Sequence, residues 1–195
     1  MPRPPQNQKT RDRILDVAER LVQTRGFNAF SYADIAEALH VTKASLHYHF
    51  PAKADLGAQL IERYAAAFAQ ALADIDGSSK DDAVKMRRYV DLYAGVLRDN
   101  RMCLCGMLAA EFATLPKPMK AGLKHFFDDN EKWLTAVLES GRAALCLRFT
   151  GEANELARLL VGSLEGAMMI ARSYGQVERF DATASRLLAD LGAGR

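Results

Sequence analysis

No stretch of this 195-residue chain is long and apolar enough to form a membrane-spanning helix. Cysteine is scarce and odd in number: Cys103, Cys105 and Cys146 cannot form the even framework that staples small secreted domains. The opening residues lack the apolar segment of a secretory leader, so a cytoplasmic protein with reduced thiols is expected. Neither sign of charge dominates. Lysine plus arginine number 26 against 24 acids, a net charge of +2, so any attraction to a polyanion must come from local clustering. There is no phosphate-binding glycine loop, metal-ligand quartet, Ser-His-Asp order or paired-carboxylate site. The C-x-C of Cys103 and Cys105 is not the C-x-x-C of a dithiol oxidoreductase. Internal repeats are absent, and alternating, strand-like patterns nearly so.

What is present is helical periodicity. With 49% of residues apolar and 26% charged, the chain can bury a core of its own. Ile14, Ala18, Leu21 and Val22 share one helical face between a candidate cap at Thr10 and a stop at Gly26. Ser31, with Asp34 three positions on, predicts a near capping box opening a short second helix that turns Ile35 and Leu39 inward. Longer helices are predicted from about Ala54 to the polar GSSKDD stretch, from a Ser79 cap to about Asp99, and over about 118–140. A run from Cys105 to Thr114 is broken by LPKP. The last two helices, GEANELARLLVGSLEGAMMIARSYG and DATASRLLADLG, each end in glycine. The fold class is all-α. Four basic residues, Arg3, Lys9, Arg11 and Arg13, face only Asp12 in the first thirteen positions.

One segment decides the functional reading: VTKASLHYHFPAKADL, residues 41–56. As a strand, Leu46, Tyr48 and Phe50 would alternate with Ser45, His47 and His49, but no partner strand exists. As a metal site it would need both histidines on one side. Residues two apart on a helix diverge by about 200°, so no metal and no cofactor are expected. As a short helix, every position has a role. Thr42 is a hydroxyl N-cap, and Lys43, Ala44 and Ser45 form a first turn of little bulk. Leu46 and Phe50 face inward. His47 and Tyr48 can reach bases or phosphates of duplex DNA, His49 can donate to a phosphate, and Lys53 follows where the backbone would pass. The preceding residues complete a helix-turn-helix: Ala36 permits close helix approach, and His40 stands where the backbone turns left-handed. The plainer alternative is that these residues only cap and pack a helical bundle.

RILDVAERLVQTRGFNAFSYADIAEALHVTKASLHYHFPAKADL resembles the DNA-binding region of the TetR family of bacterial transcriptional regulators. That resemblance implies about nine helices, with a DNA-binding domain over residues 1–50 and a ligand-binding, dimerising domain over 51–195. It places Thr42, Lys43, Ser45, His47, Tyr48, His49 and Lys53 on DNA-contacting positions. The sequence departs from the family where His47 stands for a common Tyr and Ala44 for what is often Gly, which bears on operator sequence and affinity rather than binding mode.

A homodimer on a pseudo-palindromic operator follows, because one small head covers too little DNA for strong specificity. Leu160, Ser163, Leu164 and Ala167, with Leu187, Leu188 and Leu191, are expected at an intersubunit four-helix bundle, although each also fits an internal core. Met86, Tyr89, Tyr93, Cys103, Met107, Phe126, Trp133 and Met168 are candidate lining for an inducer site, together with Phe112 and Met169. Cys103 or Cys105 is a candidate redox or electrophile sensor, since Arg98, Arg101 and a helix start stand nearby. The expected function is a repressor released by a small apolar or electrophilic inducer. The alternatives are a thiol-dependent helical enzyme, which would turn over peroxide, and a DNA-binding protein without small-molecule control.

Overall fold

The computed structural model describes residues 6–193, and among these it contains nine α-helices, one 3-10 turn and no strand. In chain order the helices are α1 (Gln6–Arg25), α2 (Tyr32–Leu39), α3 (Lys43–His49), α4 (Lys53–Ser78), α5 (Asp82–Arg98), α6 (Leu104–Ala110), α7 (Lys117–Ala143), α8 (Ala153–Tyr174) and α9 (Glu178–Asp190). They form two compact units. One comprises the chain up to Ala65 together with Leu104–Lys124; the other comprises Ala66–Cys103 and the chain from His125 onward. The boundary expected at residue 50 thus falls inside the first unit, which also takes in the start of α4 and all of α6.

Local chemistry sets the first unit. Ser31 Oγ accepts from the Ala33 N–H at 3.2 Å, while Asp34 accepts from the Ser31 N–H at 2.8 Å, giving the reciprocal cap anticipated from sequence. That backbone N–H of Ser31 is the main reason the Asp34 carboxyl lies below the usual carboxylate range. α2 stops where His40 enters the left-handed region at φ 54°, its N–H donating to the Ala36 and Glu37 carbonyls. Thr42 Oγ1 then accepts from the Ser45 N–H at 3.3 Å to start α3. Ile14, Ala18 and Val22 of α1 are fully buried, as are Ile35, Leu46 and Leu56. A seven-residue helix such as α3 cannot persist alone. Burying Leu46 contributes about 2 kcal/mol toward holding it.

Three boundary expectations are corrected. α1 is already under way at Gln6, so Thr10 lies inside it rather than capping it. The cap of α5 is Asp81, whose Oδ1 accepts from the Ala83 N–H at 2.9 Å, while Ser79 accepts from Asp81 itself in the preceding turn. α7 continues past Ser140 through Gly141, where a Cβ would collide with the Leu147 side chain, so glycine there serves packing rather than helix ending. The prolines of LPKP lie just before and inside the first turn of α7, where a missing N–H costs no helical bond.

In the second unit, α8 turns Ala157, Leu160, Val161, Leu164, Glu165, Met168 and Ala171 inward, and α9 contributes Phe180 and Ala184. The residues expected at a dimer interface differ in burial. Leu160, Leu164 and Leu191 are 3%, 0% and 3% exposed and serve the protomer's own core. Ser163, Ala167, Leu187 and Leu188 are half-buried. The exposed face of α8 carries Leu159, Gly162, Gly166 and Ile170.

Candidate functional site

α3 stands on its inner face and offers the outer one. Leu46 and the following Phe50 are buried, whereas Thr42, Lys43, Ala44, His47 and Tyr48 are exposed and Ser45 and His49 partly so. The Tyr48 ring is 74% exposed, a large aromatic surface left in solvent with an edge-on contact to His49 at 5.2 Å between ring centres. His47 is oriented rather than loose. Its Nδ1 lies 3.2 Å from the Pro51 carbonyl, and its ring centre lies 4.8 Å from that of Tyr32. Because a carbonyl only accepts, Nδ1 carries the hydrogen in that contact and Nε2 points elsewhere. The end of α3 is pinned by Tyr32, whose buried hydroxyl donates to the Phe50 carbonyl at 2.8 Å. Burial, and secondarily the Asp55 charge, push that phenol up to about 12.

Lys53 departs from its expected role. Its ammonium donates to the carbonyls of Phe27 and Phe30 and sits over both rings, 4.5 and 4.2 Å from their centres. Burial lowers its pKa, against the pull of Glu111 and Asp34. It therefore braces the α1–α2 turn instead of standing ready for a phosphate. Glu111, which the sequence reading missed, completes that brace from the other side by accepting from the N–H groups of Phe27 at 2.7 Å and Asn28 at 3.3 Å. Gly26, at φ 94°, lets the carboxylate approach: a Cβ there would stand 2.7 Å from a Glu111 oxygen. Of the basic N-terminal residues, Lys9 and Arg13 are exposed, and Arg11 donates to Gln59 at 2.8 Å over the Phe50 ring. Arg3 lies outside the described residues.

The second unit holds a buried polar cluster. Tyr89 donates to Asn130 Oδ1 at 2.8 Å, Asn130 Nδ2 donates to the Tyr93 oxygen at 3.2 Å, and the two phenols are 3.1 Å apart. Burial pushes both phenols well above their ordinary range. Phe68, Phe126 and Trp133 pack around them, with Trp133 stacked on Tyr89 at 5.6 Å. Trp133 Nε1 also donates to Asp76. Met86, Cys103 and Met168 are buried in the same unit, whereas Met107 belongs to the first unit and Phe112 and Met169 are exposed. Cys103 and Cys105 are both buried and belong to different units; Cys146 is half-buried.

Glu165 was also missed. It is 8% exposed, and no nitrogen or oxygen donor reaches either of its carboxylate oxygens, which leaves the Cys103 thiol as the polar group against it. Burial pushes its pKa up to about 7, opposed by the adjacent Cys103 thiol. Its position on α8, four after Val161 and three before Met168, places an acid on the apolar face, a pattern readable in the sequence. Among the described residues, no group of three His, Cys, Asp or Glu could hold a metal, and no helix is long and apolar enough to cross a membrane.

One compact unit carries the helix-turn-helix, and the other is helical throughout its described elements. Residues 14–60 match the family model for bacterial regulatory proteins of the tetR family, and residues 84–187 match that for the tetracyclin repressor-like C-terminal domain. The chain belongs to the TetR family and is a DNA-binding transcriptional regulator controlled by a small-molecule ligand, not an enzyme. It is 27% identical over 193 residues to the HTH-type transcriptional repressor NemR of Escherichia coli (strain K12), covering 92% of this chain and 94% of that one. A TetR-family regulator from Agrobacterium tumefaciens has the same fold at TM-score 0.92 and 33% identity, covering 95% of this chain and 98% of the other. The reduced form of Escherichia coli NemR matches in fold at TM-score 0.81 and 24% identity, covering 93% and 97%.

Proposed function

We propose that the protein is a cytoplasmic homodimeric repressor that reads a pseudo-palindromic operator through two α3 helices and is released by a small electrophile reacting at Cys103. The observation that carries the DNA-reading role is the exposed row Thr42, Lys43, Ala44, Ser45, His47, Tyr48 and His49 standing on buried Leu46 and Phe50. Small residues leading into a Lys, a Tyr and two His suit entry into a major groove and contact with base edges and phosphates. Lys53 then acts indirectly, by fixing the turn that precedes α2.

Dimerisation is supported by the outer surface of α8 and α9. A groove of about 530 Å³ is lined by Gly162, Ser163, Gly166, Ala167 and Ile170 on α8 and by Arg179, Ala182 and Thr183 on α9. Leu159 and Ile170 beside it are 58% and 55% exposed. Small residues flanked by exposed aliphatics let two helix pairs approach closely, the packing a four-helix interface needs. Two heads spaced about 34–36 Å apart would match half-sites one helical turn from each other.

Release by an electrophile is supported by the Cys103 thiol lying against the Glu165 carboxylate, a group able to take its proton. The test recovers genomic fragments on the purified protein, then adds N-ethylmaleimide to wild type, Cys103→Ser and Cys105→Ser. Release lost only in Cys103→Ser is the expected result. An identical response from all three ends the cysteine reading and leaves the DNA-binding one standing.

A further inference from the structure

Glu165 is a buried acid within electrostatic reach of the second unit's Tyr89–Asn130–Tyr93 cluster, and the groups of that cluster do not satisfy it. Tyr89 gives its proton to Asn130, Asn130 gives an amide hydrogen to Tyr93, and Tyr93 is left to donate back to Tyr89. This ring is closed, so neither phenol serves Glu165, although both lie within its electrostatic reach. A buried polar group left this way calls for a function. A cationic ligand caged by aromatic faces is one answer, but Tyr89 already faces Trp133, Phe68 and Tyr93 at 5.6, 6.3 and 5.4 Å. The ring faces are spent on each other. What remains next to the carboxylate is the Cys103 thiol, 2% exposed.

We infer that Glu165 is the proton shuttle for Cys103 when its sulfur adds to a small, uncharged α,β-unsaturated carbonyl compound. The inference rests on the reading of Cys103 as the inducer-reactive thiol and adds the residue that makes it reactive. Glu165 takes the Sγ–H proton. The sulfur lone pair forms a C–S bond to the β-carbon while the C=C π pair shifts to give an enolate. The α-carbon then takes the proton back from Glu165, and the carboxylate is regenerated. No oxidant or reductant enters. A thiol held at 2% exposure beside an acid selects for neutral, compact reagents, because an anion would be desolvated and repelled. With its pKa raised to about 7, the carboxylate lies nearer an ordinary thiol at about 8.5 than a solvent-exposed glutamate would, which eases the transfer.

The test follows adduct formation at Cys103 by intact mass and peptide mapping on the full chain, with N-ethylmaleimide from pH 5.5 to 9. Wild type, Glu165→Gln, Glu165→Asp and Cys103→Ser are compared, each checked for native melting. The wild-type rate should rise through pH 7 and level off. Glu165→Gln should be about a hundredfold slower at pH 7, as expected on losing a general base, and should climb without levelling toward the thiol range. Glu165→Asp should recover part of the rate, and iodoacetate should react far more slowly than iodoacetamide. Equal rates and equal pH profiles for wild type and Glu165→Gln would overturn the shuttle while leaving Cys103 as the reactive thiol. No adduct at Cys103 in wild type would remove both.

Discussion

Replacing Glu165 by glutamine should stabilise the protein, and only on the alkaline side. The carboxyl has a pKa of about 7 in the fold against 4.5 when solvent-exposed, so the native state holds its proton more tightly than the unfolded one. The difference of about 2.5 units corresponds to about 3 kcal/mol. Relative to the ionised form, that stabilisation is fully present at and below pH 4.5, declines between pH 4.5 and 7, and is gone above pH 7. Glutamine is nearly isosteric with the protonated acid and does not titrate. Wild type and Glu165→Gln should therefore melt together at pH 5 and diverge progressively to pH 8. There the variant should lie higher by about 3 kcal/mol, on the order of 10 °C for a chain of this size. Calorimetric melts across the pH series measure it. Parallel melting curves with no pH-dependent gap would refute the claim that this carboxylate is buried with only a thiol to offset its desolvation.

Tyr32→Phe deletes the buried bond to the Phe50 carbonyl and leaves that carbonyl at the end of α3 unpaired, so denaturant titration should register a loss of about 1–3 kcal/mol, with weaker operator binding. An unchanged midpoint would mean that α3 is held some other way. His40→Gly should shift stability by no more than about 1 kcal/mol in either direction, because relief of the left-handed backbone offsets the added chain entropy. A large fall in melting temperature would show that the imidazole itself is structural.

Much of the DNA-binding unit was legible because its signals are short-range. The Ser31–Asp34 box, the Thr42 cap and the left turn at His40 each depend on residues within four positions of one another. The same locality misled at Thr10 and Ser79, where a neighbouring segment continued the helix or a carboxylate supplied the better cap. Lys53 and Glu111 were not legible in role, since the turn they brace is 26 and 84 positions away in sequence. On α8, periodicity identified a helix with apolar faces but not which stripe the protomer keeps, so Leu160 and Leu164 fitted a subunit interface or an internal core equally and prove buried. Glu165 could have been found as an acid on an inward face. That the phenols do not donate to its oxygens depends on how α5 and α7 close their own hydrogen-bond ring, which no local pattern encodes.

The most direct measurement is a salt titration of binding to a recovered operator fragment by wild type, Lys43→Ala and Tyr48→Ala. Sequence-selective binding should persist at salt that strips bulk DNA. Lys43→Ala should flatten the slope of log affinity against log salt by about two for a dimer, one phosphate contact per protomer. Tyr48→Ala should lower affinity for the operator more than for random duplex. If no fragment is selected at any salt, or if both variants bind as wild type does, α3 is not the element that reads DNA.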